Sequence, residues 1–237
     1  MKLTSEQKYL RRRIIEISYK AKFSHLGSCL SAIDIIDTVY KAKKKDERFI
    51  LSCGHAGIAL YVVLQKYGII KDLDISKLHI HPDMNLRLGI DISTGSLGQG
   101  LPIAVGMALA DRKRNVYCLV SDGECAEGSI WEALRLVVEQ KINNLKIIIN
   151  ANGWGAYSSI SLALLARRFT GFGYDVITVN GKNISQLHQV LRLKIRNKPF
   201  LIFAKTKVEQ FQFLKGQDAH YYVMNKADYE LALNILK

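Results

Sequence analysis

Short apolar runs alternate with longer amphipathic segments along the chain, and the two patterns predict different elements. The apolar runs predict β-strands over residues 48–52, 116–120, 145–150, 175–180 and 200–206. The amphipathic segments predict helices over residues 5–21, 30–43, 101–112, 184–196 and 226–236, with two more that end near residue 66 and start near residue 127. Strands that alternate with helices favour an α/β fold, in which a mostly parallel sheet is covered by helices on both faces.

The length and composition predict a cytoplasmic protein with a sizeable core. The chain has 237 residues, enough for one large α/β domain or two small ones, and 49% of them are hydrophobic. No uninterrupted apolar run is long enough for a membrane span. The charged N-terminal segment 1–22 lacks the apolar core of a signal peptide. We therefore expect a cytoplasmic location and no contact with a membrane.

The net charge of +13 raises the question of nucleic-acid binding. Lys and Arg are spread along the chain, with short clusters at residues 11–13, 41–45 and 111–114. No motif of basic and stacking aromatic residues accompanies these clusters. We interpret most of the charge as solvated surface and part of it as attraction for anionic substrates, and we expect no nucleic-acid partner.

The four cysteines, at positions 29, 53, 118 and 125, form no Cys-x-x-Cys pair and show no zinc-site spacing. Cys118 lies in a predicted strand, so we expect a buried thiol. Cys53 and Cys125 lie within the motifs described below. Ordinary packing is the favoured interpretation of both, and lining of a ligand pocket is the alternative.

The segment 116–152 has a pattern that indicates a ligand site. A predicted strand ends in Ser121-Asp122-Gly123-Glu124, an amphipathic segment and a second strand follow, and Asn152 comes just after that strand. The carboxyl ends of parallel strands form the edge at which open α/β sheets bind ligands. We therefore expect Asp122 and Asn152 to lie side by side there. An ordinary surface turn and a loop amide are the alternative interpretation.

Carboxylate and neutral oxygens at one sheet edge match the coordination of Mg²⁺, which also takes phosphate oxygens and water. Asp122 can supply a charged oxygen, Asn152 a neutral one, and a backbone carbonyl just after Asn152 a third. Gly123 lets the backbone approach a diphosphate closely. The helix that starts near Glu127 would point its N–H groups at the same anion.

These residues, with several other segments, resemble the transketolase family. Asp122-Gly123-Glu124, followed by Glu127-Gly128, residues 131–133 (WEA) and Asn152, is similar to the family's thiamine diphosphate motif. Further similar segments occur in family order at residues 24–28 (SHLGS), 51–56 (LSCGHA), 81–83 (HPD) and 93–100 (STGSLGQG). The resemblance covers nearly the whole chain and implies the thiamin diphosphate-binding fold, in its diphosphate-binding (PP-type) form.

The resemblance implies two cofactors, thiamine diphosphate and Mg²⁺. The metal would be held by Asp122, Asn152 and the backbone carbonyl of Trp154. The residues that would contact thiamine diphosphate are His55, Gly95, Leu97, Asp122, Gly123, Glu124, Asn152 and His220. Ser121 replaces the first Gly of the family's usual Gly-Asp-Gly, and because serine is small we expect cofactor binding to survive.

Three residues take catalytic roles by the same resemblance. His25 and His81 would contact the substrate oxygens and transfer protons. Histidine is suited to these roles because it changes charge near neutral pH. Glu127 resembles a glutamate at a subunit interface that communicates with a partner site, a role compatible with a first-turn helix carboxylate. A single loop histidine taken alone is more often an ordinary surface residue. Residues 207–225 are the least regular segment, and we expect a mobile loop that orders when cofactor binds.

The resemblance implies only half of a transketolase. The glutamate that activates the cofactor belongs to a pyrimidine-binding domain, and this chain ends at Lys237, where that domain would begin. We expect residues 1–237 to form a single thiamine-diphosphate-binding domain. The expected partner is the C-terminal subunit of a split transketolase, with the pyrimidine-binding and C-terminal domains, in an α₂β₂ assembly.

The implied reaction is transfer of a two-carbon ketol unit from a ketose phosphate to an aldose phosphate. Two alternatives stay open at this point. One is a non-catalytic transketolase-like module that binds a partner. The other is a different thiamine-dependent enzyme, such as one half of a 2-oxo-acid dehydrogenase E1 component or a synthase.

Overall fold

A computed structural model describes residues 2–194 and 198–237, and its centre is a parallel sheet of five strands. The strands are β1 (Arg48–Leu51), β2 (Val116–Ser121), β3 (Leu145–Ala151), β4 (Asp175–Asn180) and β5 (Phe200–Lys205). Their order across the sheet is β1-β2-β3-β5-β4, and each neighbouring pair is parallel. The predicted strands and the predicted parallel sheet are confirmed.

Helices cover both faces of the sheet, as the α/β prediction requires. In the described part of the chain they are α1 (Ser5–Ala21), α2 (Leu26–Ala42), α3 (Gly57–Lys66), α4 (Gly100–Ala110), α5 (Gly128–Glu139), α6 (Leu162–Gly171), α7 (Ile184–Leu191), α8 (Asp218–Tyr221) and α9 (Lys226–Ile235). Helices α4, α5 and α6 contribute to the core on one face. The remaining helices pack into the larger core on the other face.

The strands supply side chains alternately to the two cores. In β2, Tyr117 and Leu119 belong to the larger core, whereas Cys118 and Val120 belong to the smaller one. This alternation follows from the two-residue period of an extended chain. It holds the central strands in one register, so the residues that follow β2 and β3 emerge together at one edge.

Several helix boundaries differ from the prediction. Helix α2 begins at Leu26 rather than near residue 30, because His25 adopts a left-handed conformation (φ 60°) and ends the preceding loop. Ser31, which had suggested the start, instead donates from its hydroxyl to the Ser28 carbonyl one turn earlier. Helix α6 was not predicted. Helix α7 ends at Leu191, and residues 195–196 of the predicted helix lie outside the described residues.

The segment 207–225 has more structure than its sequence suggested. It contains the short helix α8, and the side chains of Val208, Phe211, Leu214 and Met224 are buried in the larger core. No helix in the described residues combines the length and apolarity needed to cross a membrane.

Candidate active site

The turn after β2 and the loop after β3 meet at the carboxyl edge of the sheet. Ser121 at the end of β2 lies beside Asn150 of β3, so Asp122 and Asn152 both leave the sheet at this edge. The Asp122 carboxylate accepts hydrogen bonds from the backbone N–H groups of Gly123 (3.1 Å) and Gly153 (2.6 Å). These contacts tie the acidic turn directly to the loop that carries Asn152.

The Asp122 carboxylate is almost completely buried, with 1% exposure. No Lys, Arg or His of the described residues forms an ion pair with it. Burial raises the pKa of Asp122 to about 7, and the N–H groups of Gly153 and Gly123 oppose that rise. A buried carboxylate without a positive partner is costly, so a bound cation at this position would stabilise its charged form.

Two neutral oxygens lie near the Asp122 turn. The side-chain oxygen of Asn152 accepts from the backbone N–H of Trp154 at 2.9 Å. The Trp154 carbonyl oxygen faces Gly123, since a Cβ added to that glycine would lie 3.6 Å from it. The described residues contain no cluster of three His, Cys, Asp or Glu side chains able to hold a metal. The donor set therefore fits a hard cation that takes one carboxylate, neutral oxygens and ligand phosphates.

Four histidines converge on a cavity of about 180 Å³ next to this turn. The ring centroid of His25 lies 5.6 Å from that of His55, 5.8 Å from that of His81 and 6.4 Å from that of His220. The sequence-predicted residues that line the cavity are His25, His55, His81, Gly95, Leu97, Gly123, Trp154 and His220. Residues from separate segments of the chain thus form one concave surface.

The histidines of this cavity are poor proton acceptors in the absence of ligand. Burial, aided by the neighbouring histidines, lowers the pKa of His25 to about 4 and that of His55 to about 3. Burial also lowers the pKa of His81 and of His220. The Nδ1 atoms of His25 and His220 are buried and have no hydrogen-bond partner among the described residues. At neutral pH these rings are neutral and can offer donors or acceptors to a polar ligand.

Gly95 shapes one wall of the cavity. Its φ of +138° is rarely adopted by other residues, and an added Cβ would lie 2.9 Å from Cγ of His81. Only glycine therefore allows the His81 ring to occupy its present place. Leu97 follows two residues later on the same wall.

Glu124 has different surroundings from those expected of a cofactor ligand. It is fully buried and does not line the cavity. Its carboxylate accepts from the Ser52 hydroxyl (2.7 Å), the Gly98 N–H (3.1 Å) and the Ser121 N–H (2.9 Å). Its oxygens therefore connect the loop after β1, the glycine-rich loop before α4 and the end of β2, which makes it a positioning residue.

Glu127 lies outside the cavity, on the exposed surface directly before α5. It packs beside Gly98, where a Cβ would lie 2.7 Å from the Glu127 Cβ. A 3₁₀ turn, Gly123–Ala126, separates Asp122 from α5. The N–H groups that contact Asp122 belong to Gly123 of this turn and to Gly153 of the loop after β3, and the expectation that α5 directs its N–H groups at a bound anion stays a prediction.

The cavity lining also includes Ser121, which the sequence analysis named in the motif without a site role, and three residues that it missed: Gly155, Ala156 and Tyr221. The Tyr221 hydroxyl donates to the Ala156 carbonyl at 3.1 Å, and its ring centroid lies 6.0 Å from that of His25. An aromatic residue directly after His220 was the one signal available. The four cysteines are all buried, and none lines the cavity, so the packing interpretation of Cys53 and Cys125 is confirmed.

Several transketolase proteins are similar in sequence to most or nearly all of this chain. An apulose-4-phosphate transketolase subunit from Phocaeicola vulgatus is 34% identical over 262 residues, covering 98% of this chain and 92% of that protein. The protein of the same name from Actinobacillus succinogenes is 31% identical, covering 99% of this chain and 96% of that protein. Transketolase-like protein 2 from Mus musculus is 33% identical over 83% of this chain, which spans only 36% of the mouse protein.

A solved structure and a family model that match this chain are also those of transketolases. The crystal structure of transketolase from Campylobacter jejuni superposes with a TM-score of 0.82 and 28% identity, covering 98% of this chain and 42% of that one. The family described as transketolase, thiamine diphosphate binding domain, matches residues 5–226. Taken with the acidic turn and the histidine cavity, these matches establish that the chain belongs to the transketolase thiamine diphosphate-binding domain family.

Proposed function

We propose that this chain is the N-terminal, thiamine diphosphate-binding subunit of a split transketolase. The enzyme transfers a two-carbon ketol unit from a ketose phosphate to an aldose phosphate. The observation that carries the proposal is the meeting of the buried Asp122 turn with four histidines around one cavity. A module that only bound a protein partner would have no need of this arrangement.

The cofactor's diphosphate and its Mg²⁺ are assigned to the carboxyl edge of β2 and β3. Asp122 would supply the charged metal ligand, with the Asn152 side chain and the Trp154 carbonyl as neutral ligands. Gly123 lets the two loops approach closely beside these oxygens, since an added Cβ would lie only 3.3 Å from the Gly155 Cα. His55 and His220 lie on the cavity wall, where they can donate to the diphosphate.

Bound thiamine diphosphate supplies a thiazolium carbanion and an electron sink for the ketol unit. The protein's part is placement, proton transfer and charge stabilisation. His25 and His81 line the same cavity as Gly95 and Leu97, so they are suited to hold the sugar carbonyl and hydroxyl groups. Because their pKa values are lowered by burial, both are neutral at pH 7, and either can take up a proton as negative charge develops nearby.

A second polypeptide completes the site in this proposal. The relatives from P. vulgatus and A. succinogenes are each named as one subunit of their enzyme, which implies a companion chain in those enzymes. The companion of this chain would supply the pyrimidine-binding domain and the glutamate that activates the cofactor. The exposed Glu127, beside the glycine-rich loop, fits a contact in an α₂β₂ assembly. We assign the enzyme to the cytoplasm.

The segment 207–225 is proposed to tighten around the cofactor. It brings His220 and Tyr221 to the cavity, and Gln217 donates to the Ala156 carbonyl at 2.7 Å. Limited proteolysis of the full chain and its partner, with and without thiamine diphosphate and Mg²⁺, tests this. Protection of the segment by cofactor is expected, and equal cleavage in both conditions contradicts the idea.

The direct test combines the full chain and its partner with Mg²⁺, thiamine diphosphate, a panel of ketose phosphates and an aldose phosphate. Apulose 4-phosphate belongs in the panel because the two relatives are named for it. Transfer of two carbons that requires both chains supports the proposal. Cofactor-dependent decarboxylation of a 2-oxo acid without ketol transfer would instead assign the chain to a different thiamine enzyme.

A further inference from the structure

A second, larger cleft of about 740 Å³ lies at the opposite edge of the sheet from the histidine cavity. Its lining includes Tyr117 and Lys146, which are neighbours in register near the starts of β2 and β3. The end of α7 and the turn before β2 form the other walls. Asn152 follows Lys146 by six residues, so the two regions are separated by about 20 Å along the strand.

Lys146 is an unusual residue for the interior of a parallel sheet. It is only 6% exposed, and its ammonium group donates to the Leu193 carbonyl and lies 5.1 Å from the centre of the Phe200 ring. It forms no ion pair with any carboxylate in the described part of the chain. Burial lowers the pKa of this lysine. A buried ammonium group with unused donors is costly unless an anion satisfies it.

The rest of the lining is also strongly basic. Besides Lys146, the cationic lining residues are Lys44, Arg112, Lys113, Lys141, Arg192 and Lys194. Within the ranges 2–194 and 198–237, none of these six forms an ion pair. The concentration of unpaired positive charge in one concave surface favours an anion with several charges.

The one carboxylate of the described lining, that of Glu47, forms no ion pair with these cations. Glu47 accepts from the Asn115 amide at 2.6 Å, the Tyr117 hydroxyl at 3.2 Å and the backbone N–H of Lys44 at 2.8 Å. Its oxygens are therefore turned toward neutral donors of the cleft wall. This network fixes the wall, and the single charge of Glu47, which acts on Lys146 against the effect of burial, offsets only part of the positive charge beside it.

We propose that this cleft binds a compact polyphosphate of nucleotide size, at a site separate from the cofactor's diphosphate. The volume lies within the range of about 300–1,000 Å³ that small-molecule sites have. Arginine and lysine side chains are the groups that proteins use to bind phosphate. A concave site with a buried lysine at its base suits the end of a compact ligand better than a nucleic-acid backbone, which needs an extended surface.

Titration calorimetry of the full chain with tripolyphosphate, in Mg²⁺-free buffer of fixed ionic strength, tests the assignment. The double variant Arg112→Ser/Lys113→Ser is expected to weaken binding about tenfold or more, since it removes two cations that can form charge-assisted hydrogen bonds with the anion. Lys20→Ser removes an exposed cation that does not line the cleft, and His55→Asn alters the histidine cavity. Both are expected to bind within about twofold of wild type.

Thermal unfolding of Lys146→Met adds an independent readout. Removing the buried charge should leave the ligand-free chain at least as stable as wild type, while the stabilisation by tripolyphosphate is lost. If this variant fails to fold, the exposed double variant still decides the matter.

The tripolyphosphate titrations overturn the proposal if they show no binding, equal losses in the double variant and Lys20→Ser, or loss of binding in His55→Asn. A further arm titrates a short single-stranded RNA at the same phosphate concentration. Tighter binding of RNA than of tripolyphosphate, abolished by the double variant, would assign the cleft to nucleic acid and reject the small ligand.

Discussion

The backbone N–H of His25 donates to the carbonyl oxygen of His220 at 2.6 Å, although the two residues are far apart in sequence. His25 holds a left-handed conformation at the start of α2, and His220 lies in the short helix α8. The contact joins the first and last histidines of the cavity. The geometry of the site therefore depends on how closely α8 packs against the start of α2.

Gly27 permits this close packing, so Gly27→Ala should disturb it. A Cβ at this position would lie 2.9 Å from the Ala219 Cβ and 3.1 Å from the Ala219 carbonyl oxygen. We expect a loss of about 1–3 kcal/mol in the free energy of unfolding, together with weaker cofactor binding. Denaturant unfolding measures the first and calorimetry the second. Gly106→Ala, at a helical glycine with no neighbour within 4 Å, is the control. Equal behaviour of the two variants would refute the packing argument.

Gly95→Ala should impair the site through both backbone strain and contact with His81. The φ of +138° and the 2.9 Å approach to the His81 ring oppose any side chain. We expect a cost of about 1–3 kcal/mol in stability and a displaced His81, with a fall in transfer rate. Unfolding and initial-rate measurements check this. Gly171→Ala, which meets nothing within 4 Å, serves as the control. Full activity of Gly95→Ala would mean that His81 does not need its observed position.

Glu124→Gln should weaken the contacts through which Glu124 joins three segments of the chain. The substitution replaces one carboxylate oxygen by an amide donor. In one orientation the new NH₂ group faces the Ser52 hydroxyl and the Gly98 N–H, and in the other it faces the Ser121 N–H. We expect a loss of about 1–3 kcal/mol in stability, because at least one buried N–H loses its acceptor.

The matched control for that variant is Glu132→Gln, on the exposed face of α5. Its stability should stay within about 0.5 kcal/mol of wild type. The two variants together separate a positioning role for Glu124 from direct cofactor contact. A Glu124→Gln protein with wild-type stability but no cofactor binding would favour direct contact.

The lowered pKa values of His25 and His55 predict that acid destabilises the cofactor-free chain. In the unfolded chain histidine has its ordinary pKa, about 6.5, whereas in the folded protein the two values are about 4 and about 3. Their stabilising contribution is complete above pH 6.5. As the pH falls below that value only the unfolded state takes up protons, so stability decreases by at most about 1.4 kcal/mol per pH unit for each histidine.

Thermal unfolding between pH 7.5 and 5 tests this pH dependence, and His55→Asn is the informative variant. Replacing His55 should make the loss of stability with acid less steep. The control His79→Asn alters an exposed histidine that does not line the cavity, and it should keep the wild-type slope. A wild-type slope in His55→Asn would show that His55 is not held neutral by burial.

The sequence was sufficient for the sheet and for much of the site, for a physical reason. Apolar runs marked the strands, and parallel strands necessarily bring Asp122 and Asn152 to one edge. The convergence of the histidines could be predicted only because their motifs resemble those of the transketolase family. Neither signal could predict that the Glu124 side chain is buried away from the cavity, because that orientation depends on the 3₁₀ turn after β2. The early start of α2 and the place of Tyr221 depend on contacts between distant segments.

The central claim is that the edge formed by β2 and β3 holds a metal-bound diphosphate through Asp122. Calorimetry of thiamine diphosphate with the full chain and its partner, in Mg²⁺ and in EDTA, tests it most directly. We predict uptake that requires Mg²⁺ and that falls at least about a hundredfold in Asp122→Asn, which removes the charged ligand proposed for the metal. Uptake of equal affinity in EDTA, or unchanged affinity in Asp122→Asn, would contradict the account.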